Sequence, residues 1–309
     1  VSNQTISVIS PVYRNEASLE KLTTEIIKAV QNDFSDYEII LVEDGSMDGS
    51  WKKICELSQN NPKIKGIKLS RNFGQHVATA AGLKKAKNDW VCTIDADLQD
   101  PPSYIPQFYA KTKEGFDVIY GITRNKKTSF IRKMLSRSFF WTINKFTGQK
   151  LMSGLTSFTF MSQRSVQEHN RFSDIYKNHV FVLMWIGLPS TFVSFDRDHR
   201  DEGQSSYNLS TLIRYALAGI YFFPANFIQY FVRFGFIIAF SSIAYSIIVL
   251  LKYYLLNIQP GWTSLAVLVS FFGGLTLSSI GIVGLYVGKI FEQVKNRPLY
   301  VVESEVGEK

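Results

Sequence analysis

Two uninterrupted apolar runs near the C-terminus constrain the fold of this chain more than any other feature. Phe234–Leu251 and Thr263–Gly288 hold 18 and 26 residues without a formal charge. Runs of this length can cross the ~30 Å hydrocarbon core of a bilayer as helices. At ~1.5 Å per residue the second would reach about 39 Å, so it is expected to tilt or to enter the headgroup region. Pro260 and Gly261 in the short link predict a hairpin of two transmembrane helices, about 232–256 and 263–288. Arg214 and Arg233 precede the pair and Lys289, Lys295 and Arg297 follow it, against Lys252 alone in the link. Basic residues favour the cytoplasmic side, so both ends are expected there. A pair of buried core helices is the alternative. Gly284 and Gly288 form a Gly-x-x-x-Gly step, which hairpin packing or self-association would use equally well.

The rest of the 309 residues suffices for one substantial globular domain. Short β-rich runs at Thr5–Ser10, Tyr37–Glu43, Ile64–Ser70, Trp90–Ile94 and Asp117–Gly121 alternate with helical patterns such as Leu19, Leu22, Ile26 and Val30. That alternation predicts an α/β fold: a doubly wound, mostly parallel sheet with helices on both faces. The expected organisation is a cytoplasmic domain over 1–227, the membrane hairpin over 228–291 and a cytoplasmic tail over 292–309. Ligands of such sheets bind beyond the C-terminal ends of the strands.

The formal charge of +8 is concentrated: Lys111–Lys150 holds ten Lys or Arg against Glu114 and Asp117. Such a cluster suits an anionic membrane surface, nucleic acid or phosphorylated substrates, and the neighbouring apolar runs favour lipid over nucleic acid. Lys126, Lys127, Arg132, Lys133 and Arg137 stand among Phe130, Ile131, Phe139, Phe140 and Trp141, which predicts an interfacial helix near 128–147. A second apolar face, Leu212, Ile213, Ala216, Leu217 and Ile220, predicts another near 208–225, in contact with core or membrane. Cys55 and Cys92 are far apart and indicate neither a disulfide framework nor a metal site, which fits a reducing cytosol. The N-terminus reads as a strand and not as a secretory signal.

The strongest chemical signal is Thr93-Ile-Asp-Ala-Asp-Leu-Gln99, an acidic pair at the end of an apolar strand. Asp95 and Asp97 offer hard oxygen ligands suited to Mg²⁺ or Mn²⁺ that also binds a substrate diphosphate. Glu43 and Asp44 end the second strand at the same edge, where a carboxylate can accept from a nucleobase N–H or a ribose hydroxyl. Asp48 and Gly49, just beyond, read as turn chemistry.

Ser10-Pro-Val-Tyr-Arg-Asn-Glu16, Glu43-Asp-Gly-Ser-Met-Asp-Gly49, Leu69-Ser-Arg-Asn-Phe-Gly74, Asp95-Ala-Asp-Leu-Gln-Asp-Pro-Pro102 and Tyr120-Gly-Ile-Thr-Arg124 stand in the order seen in family 2 glycosyltransferases. The chain resembles, within that family, the polyprenyl-phosphate glycosyltransferases, such as bactoprenol glucosyltransferases and dolichol-phosphate mannose synthases. Pro260-Gly-Trp-Thr-Ser264 and Arg297-Pro-Leu-Tyr300 resemble the bacterial two-span form. The resemblance implies a GT-A-type nucleotide-sugar domain at the cytoplasmic face of the bacterial inner membrane. It further implies metal-assisted, inverting transfer of a sugar from a nucleotide sugar, by default UDP-linked, to polyprenyl phosphate.

By the same resemblance, Pro11, Tyr13, Glu16, Asp44 and Arg71 belong to the donor site, and Asp95, Asp97 and Gln99 hold the metal and diphosphate. Arg124 and Arg200 would meet phosphates, with Ser205 and Tyr207 beside them at the acceptor. Two departures stand out. Ser206 occupies a position where relatives carry Lys, and Ser157 and Thr159 stand where many carry Asp and Arg. The departures keep open an acceptor that is a saccharide on a lipid diphosphate. A catalytically inactive nucleotide-sugar-binding scaffold is the non-enzymatic alternative, against which intact Asp95 and Asp97 argue.

Overall fold

The computed structural model describes residues 3–124, 144, 154–172, 178–197, scattered positions between 235 and 255, and 261–307. The expected interfacial helices, Lys126–Arg137, most of the first apolar run, and Arg200, Ser205 and Tyr207 lie outside the described residues. The chain divides into two compact units: Val1–Lys145 with Gln149–Phe222 and Pro298–Lys309, and Phe146–Gly148 with Phe223–Arg297.

The first unit is built on one eight-stranded sheet. Its strands are β1 (Thr5–Val12), β2 (Asp36–Glu43), β3 (Ile64–Leu69), β4 (Trp90–Thr93), β5 (Val118–Thr123), β6 (Leu155–Ser162), β7 (Ser190–Phe195) and β8 (Val302–Val306), in the spatial order β7-β5-β6-β4-β1-β2-β3-β8. β4, β1, β2 and β3 run parallel, as the alternating pattern predicts. The run Ile39-Ile-Leu-Val42 is fully buried, because helices cover both faces of this part of the sheet.

Helices α1 (Leu19–Val30), α2 (Ser50–Asn60) and α4 (Ile105–Thr112) contribute to one core; α3 (Gln75–Lys85), α5 (Gln163–Asn170) and α6 (His179–Ile186) contribute to the other. Leu19, Leu22, Ile26 and Val30 of α1 are completely buried, each adding about 1.5–3 kcal/mol by leaving water. Helix α3 approaches the sheet closely through Ala78, Ala81 and Gly82. A Cβ on Gly82 would come within 2.4 Å of Ile9, so a larger residue there would push the helix away.

β6, β7 and β8 complete the sheet beyond the five strands read from the sequence. β6 is antiparallel to both β4 and β5, β7 is parallel to β5, and β8 is antiparallel to β3. β8 lies in the segment expected to be a tail. It is sewn on by Lys68–Glu303 at 2.6 Å and Lys85–Glu305 at 2.8 Å, and Ser70 N donates to Val301 O at 3.0 Å.

In the second unit, α7 (Trp262–Val294) runs for 33 residues, about 50 Å, and continues past the expected end at 288. Its stretch Phe271–Val294 has a mean hydropathy of 1.6 and is, among the described residues, the one helix long and apolar enough to cross a membrane. Leu265, Val269, Phe271, Leu277 and Ile280 point outward and exposed. In water such an apolar surface would be costly; hydrocarbon removes that cost. Ile237, Phe240, Ile247 and Leu251 of the first apolar run are likewise helical and exposed.

Candidate active site

The parallel strands bring four loops to one edge: Tyr13–Glu16 after β1, Asp44–Gly49 after β2, Ser70–Gly74 after β3 and Ile94–Asp100 after β4. Antiparallel β6 begins at that edge, and β5 and β7 end there at Thr123 and Phe195.

On the flank formed by the loops after β1, β2 and β3, carboxylates are tied to backbone amides. Asp44 is 2% exposed, and its two oxygens accept from Phe73 N at 2.7 Å and Gly74 N at 2.8 Å. Burial pushes its carboxyl above the usual range, and the two amides pull against that shift. Each oxygen keeps a second lone pair for a ligand. Gly45, at φ +65°, permits the close packing of these loops, since a Cβ there would meet Arg71 C and Asn72 N at 2.3 Å. Glu43 accepts from Ser46 N, and Glu16 accepts from Gly49 N at 3.0 Å. Pro11 lies within β1 opposite Val42. Tyr13 is 41% exposed with the Arg14 guanidinium 5.2 Å from its ring centre, and Arg71 lies 4.4 Å over Phe73. Pro11, Tyr13, Glu16, Asp44 and Arg71 thus fall on or beside this flank.

The acidic flank is organised differently. Asp95 accepts both of its hydrogen bonds on Oδ1, from Ser157 Oγ at 2.7 Å and Gln75 Nε2 at 2.6 Å. Asp97 Oδ1 accepts from Gln99 N at 3.1 Å across a turn that places Leu98 at φ +60°, a left-handed conformation costing about 1–2 kcal/mol outside glycine. Asp100 is fully buried; its Oδ1 accepts from Arg197 Nε at 2.7 Å and its Oδ2 has no partner among the described residues. Burial, with Asp100 and then Asp97 nearby, pushes the Asp95 carboxyl up to about 6. Three carboxylates therefore crowd one short loop, with Arg197 as the cation paired to it.

A divalent cation fits this donor set. Among the described residues no three His, Cys, Asp or Glu side chains converge as a closed metal cage. Open sites for Mg²⁺ use one or two carboxylates and fill the remaining positions with water and substrate phosphate oxygens, which Asp95 and Asp97 can satisfy.

Arg124 follows β5 with its side chain 61% exposed. Its backbone N donates to Phe195 O at 2.9 Å, and its guanidinium lies 3.9 Å from Asp196. Gln75 and Arg197 are absent from the sequence reading, and Ser157 enters it only as a departure. A signal for Gln75 existed: it follows Gly74 directly and opens α3 at the binding edge.

The sequence profile of the family described as Glycosyl transferase family 2 matches residues 7–169, which span β1 through most of α5. An uncharacterized glycosyltransferase of Synechocystis sp. is 35% identical over 299 residues, covering 96% of this chain and 94% of that protein. The uncharacterized glycosyltransferase YkoT of Bacillus subtilis is 34% identical over 314 residues, covering 99% and 93%. The crystal structure of mannosyl-3-phosphoglycerate synthase from Rubrobacter xylanophilus superposes with a TM-score of 0.51 at 15% identity, covering 73% of this chain and 74% of that one, a likeness of fold. The chain belongs to glycosyl transferase family 2. It is a glycosyltransferase, and its donor is a nucleotide sugar.

Proposed function

We propose that the chain transfers a sugar from a nucleotide sugar, by default UDP-linked, to polyprenyl phosphate at the cytoplasmic face of a bacterial membrane. The observation that carries this reading is the acidic flank. Asp95 and Asp97 stand at the C-terminal edge of the sheet beside the loops that hold Asp44, as a donor with nucleoside and diphosphate halves requires. A Mg²⁺ or Mn²⁺ ion on Asp95 and Asp97 would supply charge neutralisation for the departing diphosphate. Gln99, two residues on, is the third ligand the resemblance implies.

The acceptor phosphate is already anionic at neutral pH, so its oxygen attacks the anomeric carbon without a strong protein base. The bond from that carbon to the nucleotide diphosphate breaks as the new one forms, and configuration inverts. Arg124 is exposed and held by two long contacts, 3.5 Å to Ser194 O and 3.9 Å to Asp196, so it can turn to a phosphate; a planar, permanently charged fork suits that contact. Arg200, Ser205 and Tyr207 complete the acceptor side by resemblance.

What supports a membrane hairpin is the position of β8. It belongs to the same sheet as β1–β4, so the chain leaves the first unit after Phe222 and returns to it at Pro298. A chain that starts and ends on one side of a bilayer crosses it an even number of times. With α7 as one crossing, Phe234–Leu251 supplies the second. Mass spectrometry of lipid products after incubation with polyprenyl phosphate and a panel of nucleotide sugars tests the function. A glycosyl-phosphoryl-polyprenol is expected; transfer only to lipid-diphosphate saccharides would overturn the acceptor assignment.

A further inference from the structure

Three hydrogen bonds close a ring on Asp95 that the sequence motifs do not contain. Gln75 Nε2 donates to Asp95 Oδ1 at 2.6 Å and to Ser157 Oγ at 3.3 Å, and Ser157 Oγ donates to the same Oδ1 at 2.7 Å. The donors balance: both amide hydrogens of Gln75 and the one hydroxyl hydrogen of Ser157 are used. The orientation of the Gln75 amide follows, since turning it over would set its carbonyl against a carboxylate. Both bonds land on one oxygen, which directs Oδ2 away from them.

Each partner is itself anchored. The carbonyl of Ser157 accepts from Thr93 Oγ1 at 2.6 Å, and Thr93 Oγ1 meets Thr159 Oγ1 at 2.7 Å, so β4 and β6 are riveted two residues before Asp95. Gln75 starts α3 immediately after Gly74, whose amide is held by buried Asp44. A continuous chain of contacts therefore runs from Asp44, on the nucleoside side, through Gly74 and Gln75 to Asp95.

We propose that Gln75 and Ser157 are positioning residues that pin Oδ1 of Asp95 and present Oδ2 to a divalent cation. The proposal rests on the cation reading above. Groups that orient a metal-binding side chain typically change metal affinity by 10–100-fold when removed. Both side chains sit at the rim and not in the core, so their loss leaves the fold intact.

The test is Mn²⁺ binding to the full-length protein in detergent without donor, followed by the electron paramagnetic resonance signal of free Mn²⁺, beside a melting curve. Gln75→Leu and Ser157→Ala are each expected to weaken Mn²⁺ binding roughly tenfold. Their melting temperatures should stay within a few degrees of the parent, and Ser157→Thr, which keeps the hydroxyl, should bind as the parent does. If the parent binds Mn²⁺ and both variants bind it equally well, the positioning role is overturned while the cation reading stands. If affinity falls only in step with melting temperature, the residues are merely structural and the proposal fails. A parent that binds no Mn²⁺ overturns the cation reading and this proposal together.

Discussion

The two flanks of the binding edge use the same residue type for different ends. After β1 and β2, the carboxylates of Asp44, Glu43 and Glu16 accept from backbone amides and stitch one loop to another. After β4, Asp95 is held by side chains, Asp100 by one arginine, and burial with mutual repulsion raises the Asp95 carboxyl. The first arrangement consumes negative charge in building the scaffold; the second leaves negative charge in excess, which a divalent cation can use. Substitutions of Asp95 and Asp97 should therefore remove activity more than stability, and those of the amide-bound carboxylates Asp44, Glu43 and Glu16 should cost stability as well.

The largest effect is expected for Asp97→Ala. Loss of charge neutralisation at a leaving diphosphate costs several kcal/mol of transition-state stabilisation, so transfer should fall by at least about a hundredfold. Melting temperature should hardly move, because the Asp97 hydrogen bond to Gln99 N is local, closing a turn two residues long. Activity within threefold of the parent in metal-replete buffer would break the distinction between the flanks.

Arg197→Gln leaves Asp100 as a buried, uncompensated charge. Breaking such a pair is strongly destabilising, and with the Arg197 side chain 37% exposed the loss is expected near the lower end, about 2–3 kcal/mol in denaturant unfolding. Adding Asp100→Asn should recover most of it. Failure of the double variant to recover would show that Arg197 contributes by packing instead of by charge.

Asp44→Asn replaces one acceptor oxygen with an NH₂ that faces a backbone N–H. One of the two amides at Phe73 and Gly74 loses its partner, at about 1–3 kcal/mol of stability, and nucleotide binding should weaken with it. Isothermal titration with the nucleotide beside a urea curve checks this. A loss of binding with unchanged stability would make Asp44 a ligand contact alone and dissolve its scaffold role.

The parallel half of the sheet was legible because its signals are local. Ile39-Ile-Leu-Val42 and the stripe of α1 each announce their burial within a few residues, and a strand's end places Asp95 and Asp44 at the binding edge. β6 and β7 carry no such announcement of their partners. β6 inserts antiparallel between β4 and β5, and nothing within Leu155–Ser162 specifies that order. β8 contains Glu303 and Glu305 and reads as a solvated tail, until Lys68 and Lys85, more than 200 residues away, compensate both charges. The same holds at the site. Gln75 and Ser157 reach Asp95 across 20 and 62 residues, and Arg197 reaches Asp100 across 97, so no motif spacing records them.

The smallest expected effect comes from buried histidines behind Gln75, which extend the comparison from carboxylates to bases. Asn178 caps α6 by accepting from Val180 N and Phe181 N on Oδ1, so its amide donates from Nδ2 to His76 Nε2, 3.1 Å away. His76 is therefore neutral, with its proton on Nδ1. The ring of His179 is centred 5.9 Å from that of His76 and is fully buried. Burial lowers the proton affinity of both, that of His179 further because His76 and His169 are near. The unfolded chain takes up protons near the ordinary pKa of about 6.5 while the folded one does not. Stability is thus full above that pH and falls as pH drops below it, by at most about 1.4 kcal/mol per pH unit for each histidine, until the folded groups protonate in turn. Protonation of the raised Asp95 carboxyl in the folded chain opposes this decline over the same range, so urea unfolding at pH 7.0, 6.0 and 5.5 reads the net of the two, and His179→Phe should reduce the stability lost between pH 7.0 and 5.5. A slope unchanged in that variant would place the proton uptake elsewhere.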